Sequence, residues 1–473
     1  MRDHIIVYLH DERHEVRGDE AFLSVAAWLR QRRRLTGTKV VCDEGDCGAC
    51  TVLEGRPLAG SSRYGFRAIN SCLRLMCQVD GCRLITVEGL RPEQGSLTKV
   101  QQALVDQHGS QCGYCTPGFV MAITALKLYQ PGTERDEILR HMSGNLCRCT
   151  GYQAILQAIQ QIPQGNDGIR SYLDDPFPPD QRPAGGMQLI GNQTRLFAPV
   201  SLTEALQYRA DHPESRILAG ATDLMPVKAR GHELLSLQSI DSGNDLREED
   251  GMLHVGFNVD LETLRRFCLK SIPAFASFLD QFASVQIRNV GTLAGNVING
   301  SPIADTLPFL YVTGAELVLE RAGGGKRTVP IKQFFTGYKS NVLSHEEILT
   351  AIRIPLPSSK DVLLLYKVAR RRYLDVASFG AAFHLRLAQD GTLQKVRIAY
   401  GGVGPTVVHP RKACSWLEGQ RPGVAVFREA GRLAGLECSP ISDVRGSAEW
   451  RRTLSRNIMQ KALHDMSGGS PDP

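Results

Sequence analysis

Eight of the thirteen cysteines fall into two close-set groups within the first third of the 473-residue chain. Cys42, Cys47, Cys50 and Cys72 read C-x4-C-x2-C followed by a distant fourth. Cys112, Cys115, Cys147 and Cys149 read C-x2-C, a helix-length gap, then C-x-C. Few features constrain a fold more, because each set of thiolates must be gathered at one place and its charge neutralised there. The first spacing is that of a plant-type [2Fe–2S] loop, whereas zinc favours paired C-x2-C knuckles. Glycines in Cys42-Asp43-Glu44-Gly45-Asp46-Cys47-Gly48-Ala49-Cys50 permit the positive-φ turns and close backbone approach that such a loop requires. In the second set each pair precedes a predicted helix, whose free amides suit thiolate charge. On spacing alone the second set also fits zinc, and its place beside the first favours another iron–sulfur cluster. Two such clusters in tandem form a wire for single electrons. Cys77, Cys82, Cys268, Cys414 and Cys438 belong to neither set and read as buried structural thiols.

The bulk composition excludes several classes. A hydrophobic fraction of 42%, 22% charged residues and a net charge of +6 describe an ordinary globular protein. The length predicts roughly three or four domains. The densest basic run, Arg30–Arg34 (RQRRR), has no aromatic interleaving and reads as a solvated helix end, so no nucleic-acid partner is expected. No apolar stretch is long enough to cross a membrane, and MRDHIIVYLHDE lacks a signal-peptide core. So many cysteines outside a secretory context predict metal binding in a reducing cytoplasm.

Along the chain, residues 4–9 and 14–17 predict a hairpin, 23–34 a helix, TVLEGRPL a strand and 84–88 a closing strand. Helices are predicted at 97–107, from Thr116-Pro117 through FVMAITALKLY, at 134–142 and at 152–162, where Ile155, Ile159 and Ile162 form a stripe. Residues 163–193 are rich in Pro, Gly, Asp and Gln without any period, and predict a linker. Beyond it Ser201-Leu202-Thr203-Glu204 has the form of a capping box, followed by a strand at 216–219. A strand at 253–257 and helices at 261–268 and 272–283 come next, and 289–307 reads as loop. A hairpin near Gly323–Gly325 and a strand over 347–355 precede strands at 362–369, 379–388 and 393–400. Helices near 424–436 and 447–466 close the pattern, and Asp390-Gly391 marks a hairpin turn.

No G-x-G-x-x-G follows a strand in 195–355, so the dinucleotide fingerprint is missing, and GGGKRT at 323–328 has Glu320 where a phosphate loop needs glycine. Two other segments suit a pyrophosphate: Leu218–Asp223, and Gly291–Asn296 with Ser301–Asp305 behind it. Taken without further context they remain glycine-rich turns as readily as anion sites.

The motifs CDEGDCGACTV, QCGYCTPGF and GNLCRCTGYQAI resemble the iron–sulfur signatures of the xanthine dehydrogenase and aldehyde oxidase family of molybdenum hydroxylases. RILAGATDL, FASVQIRNVGTLAGNVINGSPIADTLP, and FFTGYKSN with EEIL close behind it, resemble the FAD domain of the same family. The resemblance implies an α+β multidomain fold. A β-grasp 2Fe–2S ferredoxin domain (1–92) leads into a four-helix 2Fe–2S bundle (93–163) and a linker (164–193). A two-part α+β FAD-binding domain (194–358) and a C-terminal α+β flavoprotein subdomain (359–473) follow. The metal ligands implied are Cys42, Cys47, Cys50 and Cys72, then Cys112, Cys115, Cys147 and Cys149. FAD would be bound by Arg216, Ile217, Leu218, Ala219, Gly220, Ala221, Thr222 and Asp223, and by Thr292, Leu293, Ala294, Gly295 and Asn296. Phe282 would pack against the flavin, and Asp305, Leu349 and Lys367 would hold its remaining edges.

The activity implied is that of an electron-transfer subunit, with no catalytic residue of its own. Electrons from the oxidation of hypoxanthine and xanthine to urate, at a molybdopterin on a large partner chain, would pass through both clusters to FAD and then NAD+. Because the chain stops at Pro473, it is expected to be the iron–sulfur and FAD subunit of a split enzyme, and the resemblance implies a heterotetramer of two small and two large chains. Ala369–Ala377 departs from the NAD-reducing pattern: only Asp375 is acidic, and Arg370, Arg371 and Arg372 precede it. Oxygen or a quinone is therefore an alternative acceptor, and an aldehyde, nicotinate or another aromatic heterocycle an alternative substrate. A non-catalytic iron–sulfur redox sensor is the reading from another class, and the flavin motifs argue against it.

Overall fold

The strand His4–Leu9 is buried along nearly its whole length because it is flanked on both sides. Glu12–Arg17 pairs with it antiparallel and Cys82–Ile85 parallel, and Thr51–Pro57 and Tyr64–Asn70 extend the sheet to five strands. This computed structural model describes residues 1–57, 63–90, 96–129, 134–162, 169–175, 185–226 and 233–468. It forms two compact units: Met1–Ala205 with Glu214–Ile240 and Ala283–Gly291, and Leu206–Pro213 with Asp241–Phe282 and Thr292–Pro473.

In the first unit the sheet grips the helix Val25–Gln31, as a β-grasp domain should. Ser24 caps the helix by accepting a hydrogen bond from the Ala27 amide (3.1 Å), and Val25, Trp28 and Leu29 join Ile5, Val7 and Leu84 in the core. The helix is shorter than the predicted 23–34, because the basic run turns back on itself. Arg30 donates to the carbonyls of Thr36 and Thr38, and the Arg33 guanidinium lies 4.6 Å from the Trp28 ring centre. The predicted strand over 84–88 stops at Ile85 and gives way to a 3-10 turn, Val87–Gly89. The strand Tyr64–Asn70, for which no element was predicted, pairs with Thr51–Pro57.

The four expected helices are present as Lys99–Asp106, Thr116–Tyr129, Arg135–Met142 and Gln153–Gln161. Phe119, Ile123, Ile138, Ile155 and Ile159 bury together with Phe66 and Ile85 of the sheet. The segment 163–193, predicted as a linker without period, contains two short elements. Arg170–Asp174 is a short helix whose Tyr172 is fully buried and donates its hydroxyl hydrogen to the Gly89 carbonyl (2.7 Å), and Met187–Ile190 is a strand with Met187 and Leu189 inward. Segments of four or five residues carry too little periodicity to be read, and their partners are distant in sequence. Residues 163–168 and 176–184, Leu58, and the domain boundaries at 92/93 and 163/164 lie outside the described residues. A four-stranded sheet completes the unit, in the order Met187–Ile190, Arg195–Ala198, Glu233–Ser236, Arg216–Leu218.

The second unit has an antiparallel five-stranded sheet in the order Leu246–Glu249, Met252–Gly256, Ile348–Pro355, Glu316–Arg321, Gly325–Pro330. The helix Thr306–Thr313 is buried at every residue. His384 Nδ1 and the Arg397 guanidinium reach its last carbonyls, those of Val312 and Thr313. Asp361–Val368, Phe379–Leu387 and Leu393–Gly401 form a three-stranded sheet covered by Arg411–Leu417, Val424–Leu436 and Ala448–Met466. The segment 289–307, expected to be loop, is corrected. It contains the helix Leu293–Asn299, opened by Thr292 Oγ1, which accepts from the Gly295 amide at 3.0 Å. Small residues and two asparagines hid a helix whose apolar side, Leu293, Ala294 and Val297, is only one turn deep.

One ion cluster underlies the ferredoxin sheet. Glu54 is completely buried and faces Arg56, Arg67 and Arg74 at 3.2, 2.8 and 3.2 Å. Burial raises its carboxyl pKa, but the three guanidiniums outweigh that and hold it well below the usual range. Its contribution to stability is therefore complete above about pH 5 and is lost as the pH falls through the folded value. Glu54→Ala leaves Arg74 buried without its counter-charge, and should cost about 3–5 kcal/mol in urea unfolding at pH 7.

Candidate iron–sulfur and flavin sites

The loop from Cys42 to Cys50 coils because Asp43, Gly45 and Gly48 all take positive φ, of 57°, 82° and 67°. Its sulfurs meet. Cys42 Sγ accepts from the Cys47 amide at 3.4 Å and touches the thiols of Cys47 and Cys72, while Cys50 and Cys72 Sγ stand 3.3 Å apart. The thiol of Cys42 is pushed far down by its hydrogen bonds with Cys47 and then Cys72, and the same contacts push Cys47 and Cys72 up. Cys50 is lowered, chiefly by its bond with Cys72. Four sulfurs so close cannot all carry negative charge alone. A cationic centre among them lets all four ionise.

The second set assembles the same way. Cys115 touches Cys147, and Cys112 touches Cys149. Burial and then the Cys147 contact push the Cys115 thiol up to about 12. Burial also raises Cys147, but the Thr150 hydroxyl, donating to its Sγ at 3.2 Å, and the Thr150 and Cys149 amides outweigh it and leave it lowered. The Tyr152 hydroxyl accepts from the Cys147 amide (3.1 Å), and positive φ at Gly151 and Tyr152 completes the turn before Gln153–Gln161. Among the described residues no group of three or more His, Cys, Asp or Glu side chains surrounds a single-ion position. The close sulfur contacts instead include the pairs Cys42/Cys47, Cys50/Cys72, Cys112/Cys149 and Cys115/Cys147. Cys42 also meets Cys72, so these contacts gather the sulfurs without dividing them, and four thiolates in one place is the donor set that a [2Fe–2S] centre uses. The two loops are joined through the backbone, Leu146 N–H donating to the Cys47 carbonyl at 3.0 Å. The other five cysteines are buried, with thiols raised by burial to about 12, or about 11 for Cys438. That is the environment of inert structural thiols.

The residues expected at FAD lie in both units. In the first, Arg216, Ile217 and Leu218 form a strand that ends at Ala219, whose carbonyl accepts from Gln78 Nε2 at 2.6 Å. A Cβ at Gly220 would stand 2.2 Å from the Val290 carbonyl oxygen, so only glycine lets the backbones approach there. Ala221 takes positive φ, Thr222 is half-buried and Asp223 exposed. In the second unit Thr292 caps Leu293–Asn299, with Leu293 and Ala294 buried and Gly295 donating to the cap. Asn296 Oδ1 accepts from the Thr306 hydroxyl at 2.5 Å. Lys367 Nζ donates to Asp305 Oδ2 (2.7 Å) and the Gln281 carbonyl (2.8 Å). Burial raises the Asp305 carboxyl above its ordinary value, against the pull of Lys367. Asp305 Oδ1 is buried without a partner among the described residues, a place for an N–H donor of a bound group. Leu349 is buried beside Leu319 in the sheet, and Phe282 is half-buried. In the arginine-rich loop, Asp375 is taken by the Arg371 amide and guanidinium, and Arg370 donates to the Val444 carbonyl. Sequence reasoning missed the polar residues that support these loops, Gln78, Asn145 and Gln286. Isolated amides in a sequence carry no spacing signal.

Two sets of gathered thiols on one chain are the donor sets an iron–sulfur electron carrier needs. Comparison with known proteins extends this class. The family described as "FAD binding domain in molybdopterin dehydrogenase" matches residues 192–357, "[2Fe-2S] binding domain" matches 86–160, and "CO dehydrogenase flavoprotein C-terminal domain" matches 365–466. Xanthine dehydrogenase of Drosophila pseudoobscura pseudoobscura is 32% identical over 508 residues, covering 94% of this chain and 38% of the relative. Aldehyde oxidase 2 of Rattus norvegicus is 32% identical over 496 residues, covering 91% and 37%. Carbon monoxide dehydrogenase from Hydrogenophaga pseudoflava superposes with a TM-score of 0.56 at 26% identity, over 60% of this chain and 100% of that one. Quinoline 2-oxidoreductase from Pseudomonas putida 86 gives 0.53 at 27%, over 57% and 96%. The chain belongs to the molybdenum hydroxylase family and carries its 2Fe–2S-binding and FAD-binding domains. It spans 38% of the length of the Drosophila pseudoobscura relative.

The cluster loop can be tested at its tightest turn. A Cβ at Gly48, already at positive φ, would stand 2.1 Å from the Gly144 carbonyl oxygen, whereas Gly18 has positive φ with open space around it. Gly18→Ala should cost only the backbone term, about 1–2 kcal/mol, and leave bound iron unchanged. Gly48→Ala should cost more and lower the iron per chain, measured by unfolding and metal analysis.

Proposed function

We propose that this chain is the electron-transfer subunit of a xanthine dehydrogenase, accepting electrons from hypoxanthine or xanthine oxidised at a molybdopterin on a large partner chain and delivering them to NAD+. The observation that carries the reading is the gathering of eight thiols into two sets of four on joined loops. Cys42, Cys47, Cys50 and Cys72 hold one cluster, and Cys112, Cys115, Cys147 and Cys149 the other. Residues 216–223 and 292–296 contact FAD, with Phe282, Asp305, Leu349 and Lys367. When bound, the clusters would supply one-electron chemistry and the flavin the conversion between one-electron and two-electron transfer. The protein's own part is to hold thiolates against backbone amides, to exclude water from Cys50 and Cys72, and to fix Lys367 against Asp305.

The division into domains at 92, 163, 193 and 358, the heterotetramer of two small and two large chains, and a cytoplasmic setting that keeps thiols reduced belong to the same proposal. Among the described residues no helix is long and apolar enough to cross a membrane. A second substrate reading, an aldehyde or an aromatic heterocycle, is favoured by the likeness to an aldehyde oxidase and to a quinoline oxidoreductase. The engagement of Asp375 by Arg371 favours oxygen or a quinone as the alternative acceptor.

The purified chain should carry about four irons and one flavin, without stoichiometric zinc. Copurified with its partner, it should reduce NAD+ with xanthine; turnover of an aldehyde or nicotinate instead would refute the purine reading. Cys115→Ser should abolish one cluster's signal and stop reduction of the flavin by substrate while sparing direct exchange between NADH and FAD. Loss of FAD itself in that variant would count against the layout.

A further inference from the structure

Three amide- or hydroxyl-bearing side chains, buried to within 2% of complete, connect the two cysteine loops. Gln286 Nε2 donates to Asn145 Oδ1 at 2.7 Å and lies 3.4 Å from Thr51 Oγ1. Asn145 Nδ2 donates to the Gly48 carbonyl at 3.0 Å, and the Thr51 hydroxyl and amide donate to that same oxygen at 2.6 and 3.1 Å. Gly48 lies between Cys47 and Cys50, and Asn145 stands two residues before Cys147. The bridge is tightly fitted, since a Cβ at Gly144 would come within 2.3 Å of Gln286 Oε1. The segment bearing Gln286 is itself anchored, through Asn289 Nδ2 to the Ala68 carbonyl at 2.8 Å.

Packing alone does not call for this arrangement. Burying three polar side chains costs desolvation that apolar residues of similar volume would avoid, and Gln286 Oε1 is left without a hydrogen bond among the described residues. What a buried polar network adds is one defined geometry, because each donor accepts only one placement of its partner. The geometry is imposed here on the two loops and on the segment that bears Gln286.

We propose that Asn145 and Gln286 are positioning residues that fix the two cysteine loops relative to each other and thereby set the rate of electron transfer between the clusters. Resting on the iron–sulfur reading above, the inference concerns one step: a single electron leaves the reduced cluster of one loop and reduces the other, with no proton transferred and no bond broken. From Cys147 the backbone runs two residues back to Asn145, and one hydrogen bond carries it across to the Gly48 carbonyl.

The test uses the purified full chain and the variants Asn145→Ala, Gln286→Met and the double variant. Iron analysis comes first, and a wild-type chain with zinc or no iron would sink the iron–sulfur reading itself. With dithionite-reduced protein, the magnetic interaction between the two reduced clusters is read by electron paramagnetic resonance, and the intercluster rate by flash reduction. Each variant should keep its iron, lose or broaden the splitting and slow transfer several-fold. The double variant should be no slower than the slower single, because the two residues act as one bridge. Unchanged splitting and rate with full iron would overturn the proposal. So would iron loss in both single variants, which would make the bridge a folding element only, and so would additive effects in the double.

Discussion

Sulfurs that carry negative charge repel, and the first unit is organised around making eight of them stay together. Short loops alone cannot do this. Each loop turns its amides toward the thiols, as Cys47 does for Cys42 and Thr150 for Cys147, and a cationic centre supplies the rest of the neutralisation. Everything nearby is subordinate to that geometry: positive φ at Gly45 and Gly48, a glycine at 118 where the Gly48 carbonyl leaves no room, and helices beginning after Cys115 and Tyr152.

The loops are held by parts of the chain far away in sequence. Residues 283–291 belong to the first unit although 241–282 do not, and through Gln286 and Asn289 they reach both the helical segment and the ferredoxin sheet. Gln78 plays a parallel part, donating to Ala219 at the head of the glycine loop while its own carbonyl accepts from Arg56, Arg74 and Gln238. Arg56 and Arg74 also bind buried Glu54, so the loop before Gly220 is tied to the ion cluster beneath the ferredoxin sheet. Polar groups at these crossings cost desolvation, which their hydrogen bonds offset in part, and in return allow one geometry instead of many.

Much of this was legible beforehand. Cysteine spacing names its chemistry because a cluster accepts few ligand separations, and the helices after Cys115 and Tyr152 and the stripe Ile155, Ile159, Ile162 follow from period and caps. Long strands such as Phe379–Leu387 and Leu393–Gly401, with Asp390-Gly391 between them, were equally plain. The failures share one cause. Arg170–Asp174, Met187–Ile190, Leu293–Asn299 and Arg411–Leu417 span seven residues or fewer, so local pattern is weak and distant contacts decide. Tyr172 on Gly89 is the plainest case: nothing around Tyr172 announces that its hydroxyl has a buried carbonyl to meet.

By itself, then, the sequence determined the spacing of the two cysteine groups, the order of the matched domains, and the family, since each is carried by residues that are near one another in the chain or fixed in spacing. Only the tertiary structure decided which sulfurs meet, which amides face them, and that Asn145 and Gln286 join one loop to the other. Those facts depend on groups from 42–51, 144–149 and 284–289 meeting in one buried place. A hydrogen bond between residues 141 positions apart leaves no periodic trace, because its energy depends on distance in space and not along the chain.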